Sequence, residues 1–186
     1  SAMQSKPDGA VVAVSASAQH QFSKAVCGQI ELIAGLGGRG DAHCGATVQH
    51  RSRVKADPTQ PNLRQVHLLA AEMLALLADR NFDVAPGALG ENIPTHGIDL
   101  LALPTGTRLQ LGEHVVLEVT GLRNPCVQID RFQAGLLREL LARDVNGELI
   151  RKAGMMAVVH CGGWVSAGDA IEAVLPAAPY GALRPV

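Results

Sequence analysis

Apolar residues along this chain come in short runs cut by glycine and proline, with two stretches of helical spacing among them. Ala10 to Val14 is apolar and β-branched, and the small polar stretch Ser15 to Ser23 is either an extension packed on the body or a loose leader. Cys27 to Ile33 alternates in part and stops at Gly35, which predicts a strand. Val66, Leu69, Met73, Leu76 and Leu77 share one helix face, with Glu72, Asp79 and Arg80 turned outward, and predict a helix over about Ala70 to Arg80. Asn62 and Gln65 have the spacing of a capping pair ahead of it, while Arg64 to Leu69 fits either the helix or a preceding strand. Arg51, Arg53 and Lys55 alternate as a solvated strand face does.

Beyond Pro86-Gly87 the runs Gly90 to Pro94, Leu100 to Leu103, Thr107 to Leu111 and Val115 to Val119 are set apart by Gly97, Pro104-Thr105-Gly106 and Gly112-Glu113. Strand and turn alternating in this way predict a small antiparallel barrel or sandwich. Asp130 with Gln133 would cap a second helix whose buried stripe is Leu136, Leu137, Leu140 and Leu141. Asn146-Gly147 turns the chain. Met155 to Cys161, a turn at Gly162-Gly163 and Asp169 to Leu175 then give two last strands as a closing hairpin.

Composition narrows the partners. Sixteen Lys and Arg against 17 Asp and Glu leave a net charge of -1 over 186 residues with the signs dispersed, which argues against a nucleic-acid partner. No apolar run approaches the roughly 20 residues that span a bilayer and no signal peptide opens the chain, so no membrane is expected and the cytoplasm is the expected compartment. Ser1 and Ala2 ahead of Met3 read as a tag remnant. With 20 Gly, 10 Pro and 3% aromatic residues, the chain must turn often and fill its core with Leu, Val, Ile and Ala.

Cys27, Cys44, Cys126 and Cys161 are widely spaced and read as thiols. The pairs His43-Cys44 and His160-Cys161 would complete a zinc tetrahedron only if two loops met, since their spacing is not that of a zinc knuckle. His20, His50, His67, His96 and His114 show no arrangement toward a partner. Cys126 differs: it follows Pro125 after a predicted strand and precedes a predicted helix, a setting that favours a thiolate able to attack, carry sulfur or bind a soft metal. A buried small apolar residue is the other reading.

The order of the motifs adds to this. Gly-x-Gly-Asp-x-His-x-Gly at Gly38 to Gly45, Arg64-Gln65-Val66, Gly87-x-x-Gly-Glu-Asn-Ile at Gly87 to Ile93, Arg-x-Pro-Cys at Arg123 to Cys126 and the glycines around Gly162, Gly163 and Gly168-Asp169 together resemble the MOSC domain. That domain occurs at the C-terminus of molybdenum cofactor sulfurases and in stand-alone bacterial proteins. The resemblance covers 24–175, with 1–23 as tag remnant and extension and 176–186 as a Pro/Ala-rich tail. It implies a mostly β (α+β) fold, a closed or partly open antiparallel β-barrel with a few peripheral helices.

It also implies a molybdenum cofactor of the molybdopterin type, with Cys126 as catalytic residue and metal ligand and with Arg64, Asp41, His43, Asn92 and Arg123 around the cofactor. Asp41 and His43 would otherwise serve only local turns, and Glu91-Asn92 only a turn into a strand. The implied activity is a reductase of small N-hydroxylated substrates fed by separate electron-transfer proteins. The alternative is a sulfur carrier that receives a persulfide on Cys126 from a cysteine desulfurase. No flavin or iron-sulfur motif is present, and the oligomeric state is open.

Overall fold

The computed structural model describes residues 6–49 and 51–186, and the side chains of residues from 53 onward in the second stretch. Ser1, Ala2 and His50 of the sequence reading lie outside the described residues. In chain order the elements begin β1 (Gly9–Val11), β2 (Val14–Ala16), β3 (Ala25–Cys27), β4 (Gln29–Ile33), β5 (Gly37–Gly38) and α1 (Arg51–Ala56). There follow β6 (Val66–Ala70), α2 (Ala71–Asp79), β7 (Ile93–His96), β8 (Arg108–Leu111) and β9 (Val115–Leu122). The chain ends with α3 (Gln128–Phe132), α4 (Leu136–Glu139), β10 (Leu141–Arg143), β11 (Leu149–Arg151), β12 (Met155–Cys161), β13 (Gly163–Ser166) and β14 (Ala170–Val174).

Seven of the strands close a barrel in the order β1-β14-β8-β9-β12-β6-β7, with β7 returning to β1. The mostly β class and the closed barrel are as expected. Every pair in the barrel is antiparallel except β6 with β7, which α2 connects as a parallel crossover. β9 shows why these segments are strands: its residues alternate strictly between buried and half-buried along Val115 to Leu122. Inward residues such as Val66, Leu68, Leu117, Val119, Met155 and Ala157 fill the barrel, leaving no channel for a ligand there.

β6 is buried on both faces. Val66 and Leu68 point into the barrel, while Leu69 packs outside it in a second core with Leu74, Leu77, Leu89, Ile129 and Leu136. His67 shares that outer face, and Met156 of β12 stands directly across from it. The outer surface of β6 and β12 is therefore the floor on which a site can be built.

Several local expectations change. Arg51 to Ala56 is a helix and not a strand face. Asn62 and Gln65 cap no helix: Asn62 donates to the carbonyls of His43 and Gly45, and Gln65 donates to those of Gly35 and Asn62 while strand β6 begins beside it. Leu100 to Ala102 is a single 3-10 turn. The second helix is broken at Gly135, whose φ of 85° interrupts it, and Asp130 accepts from the amide of Leu137 to cap α4 instead of α3. The last strands form no closing hairpin, since β13 pairs with β4 and β14 with β1 and β8. The C-terminal segment lies along β9, where the Leu122 amide donates to the Arg184 carbonyl at 2.8 Å. No helix among the described residues is long and apolar enough to cross a membrane.

Candidate functional site

On the outer face of β6 and β12 lies a cavity of about 550 Å³ whose walls come from several chain segments. His20, Gln21, Phe22 and Lys24 enter from the β2–β3 connection, His43 from the stretch between β5 and α1, Arg53 from α1, and Arg64 from just before β6. Leu89, Gly90 and Asn92 come from the loop before β7, Arg123, Asn124, Cys126 and Gln128 from the β9–α3 connection, and His67 and Met156 form the floor. Five of the six residues expected at a site thus meet around one opening. The sixth, Asp41, stands behind Lys24.

The charge arrangement is lopsided. Lys24, Arg53, Arg64 and Arg123 all line the cavity. The Lys24 ammonium is buried and donates to both carboxylate oxygens of Asp41 at 2.8 and 2.7 Å, and Asp41 also accepts from the amides of Ser17 and His43. Burial nevertheless pulls the Lys24 pKa below its ordinary value. Arg123 donates to the carbonyl of Leu89 and lies 5.8 Å from the ring centroid of Phe22; burial lowers its pKa too. Arg64 makes no side-chain hydrogen bond among the described residues, and burial with the charges of Arg53 and Arg123 brings its pKa down to about 10. These cations give the cavity the electrostatics that favour an anion.

The neutral groups are fixed as firmly. Burial and the Lys24 charge hold His43 at a pKa of about 4. His67 is enclosed and lowered well below the usual histidine value, with Nε2 2.7 Å from the carbonyl of Ala153. Asn92 accepts from the His67 amide through Oδ1 and donates to the Ser15 carbonyl, so most of its amide ties strands together and little is left for a ligand. Glu91 is fully buried with no side-chain donor on either oxygen, and burial raises its pKa to about 7 against the pull of the Gly87 amide, of Arg123 and of Lys24.

Cys126 is exposed at the rim, its only hydrogen-bond contact among the described residues being Gln128 Oε1 at 3.8 Å. It precedes α3 as expected, although that helix has only 5 residues. Cys44 is half-buried, and His160 and Cys161 are exposed at the end of β12. Among the described residues no three His, Cys, Asp or Glu side chains converge as a metal site, so the zinc arrangement does not form.

Lys24, Arg53, Glu91 and His67 were not among the expected site residues. Lys24 stands in no motif, and Arg53 was masked by its basic neighbours. His67 carried a usable signal, as a lone polar position in the apolar run Val66 to Leu69.

A family model described as MOSC domain matches residues 48–172. Among solved structures, the chain superposes on YuaD from Bacillus subtilis with a TM-score of 0.72 and 21% identity, covering 89% of this chain and 94% of that one. YiiM from Escherichia coli gives a TM-score of 0.55 at 21% identity over 92% of this chain and 73% of that one. These likenesses carry the fold. No curated protein matches.

Proposed function

Because the chain belongs to the MOSC domain family, whose membership supports a function connected with molybdenum cofactor or with sulfur, we propose that it binds a molybdopterin-type cofactor in the cationic cavity and reduces N-hydroxylated compounds. The observation that carries this reading is the exposed Cys126 thiol at the rim of a cavity lined by Lys24, Arg53, Arg64 and Arg123. The residues fit the group: Arg64 offers an unengaged planar fork for a phosphate, the volume admits a heterocycle, and a soft thiolate suits a thiol-rich metal. Phe22 is the one Phe, Tyr or Trp in the lining, so arginine and hydrogen bonds do most of the holding. When bound, the cofactor supplies two-electron redox chemistry.

The protein's own residues bind and orient. Lys24, clamped by Asp41, cannot swing toward solvent, and Arg123 is pinned to Leu89. Reduction of an N-hydroxylated amine takes two electrons and two protons and releases the amine and water. The electrons come from separate electron-transfer proteins. The test is direct: the chain made in a cofactor-competent host should contain molybdenum and yield a fluorescent pterin on oxidation. Cys126→Ser should lose most of the metal while retaining fold. Wild-type protein without pterin or molybdenum overturns the cofactor reading.

The exposure of Cys126 favours one second reading, a sulfur carrier. The Cys126 thiolate would attack the outer sulfur of a cysteine desulfurase persulfide, taking that sulfur and releasing the desulfurase thiolate. Mass spectrometry after incubation with the desulfurase and cysteine should then find Cys126 one sulfur heavier. No adduct on a molybdenum-free protein excludes it.

A further inference from the structure

His67 holds its two ring nitrogens in different conditions. A carbonyl only accepts, so the 2.7 Å contact with the Ala153 oxygen places the ring proton on Nε2. Gly154 allows this approach: its φ is +94°, and a Cβ there would stand 2.8 Å from Nε2 and 2.1 Å from the Leu68 carbonyl oxygen. The backbone is fixed as well, the amide donating to Asn92 Oδ1 and the carbonyl accepting from the Asn92 amide. Burial and the charges of Arg123, Lys24 and Arg64 keep the ring neutral, so Nδ1 keeps its lone pair.

Nδ1 has no hydrogen-bond partner among the described residues. His67 lines the cavity, and with Nε2 given to the Ala153 carbonyl the uncommitted Nδ1 is the ring atom left for a ligand there. Beside it stand Met156 and Leu89, which offer apolar surface, while Lys24, Arg64 and Arg123 are hydrogen-bond donors without acceptor capacity.

We propose that His67 is a specificity-determining residue, its Nδ1 accepting a hydrogen bond from a ring or exocyclic N–H of a planar heterocyclic ligand whose anionic group is held by the cavity's cations. This rests on the cofactor reading above and assigns the ligand's two chemistries to two sets of residues. A cavity with cations alone would take any phosphate ester; the fixed acceptor selects one that also donates.

The probes are a pterin phosphomonoester and ribose 5-phosphate, titrated into the full chain made in a host without molybdopterin. Wild type should bind the pterin ester more tightly than ribose 5-phosphate. His67→Phe should weaken the pterin ester about tenfold and leave ribose 5-phosphate unchanged, and His67→Gln, which restores an acceptor, should recover part of the loss. Because His67→Phe can fail to fold, nitrogen-15 NMR of the wild-type ring gives an independent readout. Nδ1 should resonate as a bare acceptor and shift on addition of the pterin ester but not of ribose 5-phosphate. Equal pterin affinity in wild type and His67→Phe, or an Nδ1 resonance that does not respond, overturns the role of His67 and leaves the cofactor reading standing. If wild type binds neither probe, the cofactor reading falls and this proposal with it.

Discussion

The loop from Gly35 to Gly45 and the loop from Gly87 to Asn92 both border the cavity and each carries one buried carboxylate, and they treat it in opposite ways. Asp41 is saturated, accepting from Lys24 Nζ and from two backbone amides. Glu91 is equally enclosed, but no side-chain donor or counter-charge is bonded to its oxygens. The first arrangement fixes a charge so that it can fix a cation. The second keeps an acid near its point of proton exchange, where Arg123 and Lys24 feel its charge change. A cavity meant only to grip an anion needs the first loop, whereas one that also manages protons gains from the second.

Breaking the paired side should cost most. Asp41→Asn keeps the shape but leaves Lys24 buried without its counter-charge, so Lys24 either holds an unpaired proton or surrenders it. A loss of about 3–5 kcal/mol is expected, read as a lower urea midpoint at unchanged m-value. A loss below about 1 kcal/mol would mean that water already solvates Lys24 and that the pair is not the anchor.

The unpaired side should show in the pH dependence instead. Glu91 titrates at about 7 in the fold against an ordinary 4.5, so the native protein keeps a proton that the unfolded chain has lost between those values. Stability therefore falls as pH rises through this window, by about 3 kcal/mol at most. His43, lowered to about 4 from 6.5, acts in the opposite sense, its contribution being lost as pH falls through that range. Glu91→Gln removes the first effect and not the second, so the mutant should gain on wild type from pH 5 to about pH 7 and the difference should level off above that. Parallel profiles for the two proteins would show that Glu91 stays ionised in the fold.

These two loops also show what the chain discloses in advance. Asp41, His43, Asn92, Arg123 and Cys126 sit in short motifs that carry Gly or Pro and Arg64 in Arg64-Gln65-Val66, and each of them reaches or backs the cavity. Strand positions with strict alternation, such as Val115 to Val119, were equally legible. Lys24 and His67 were not, because their roles arise from register and crossover: β6 and β12 must pair before His67 faces Met156, and Asp41 must fold back 17 residues before Lys24 has a partner. Asn92 was legible as a site residue, yet its amide mostly joins β2 to β6. The closing hairpin failed for a related reason, since β13 finds its partner in β4 far earlier in the chain.

The smallest effect separates the loops by their glycines. Gly40 has a φ of +74° with nothing within 4 Å of where a Cβ would stand, so Gly40→Ala meets only the backbone preference and should cost about 1 kcal/mol. Gly87 has a φ of +82°, and a Cβ there would lie 2.2 Å from the carbonyl oxygen of Lys24 and 2.7 Å from Ser15 Oγ. The Lys24 amide donates to the Gly87 carbonyl across the same contact, at 2.8 Å. Gly87→Ala must therefore push the Glu91 loop away from the strand that presents Lys24, and should cost about 2 kcal/mol more than Gly40→Ala in thermal or urea unfolding. It should also weaken phosphate binding, because the displaced backbone carries Lys24 with it. Equal losses in the two mutants would show that the loops are not braced against each other, and the bare carboxylate would then owe its burial to something other than this contact.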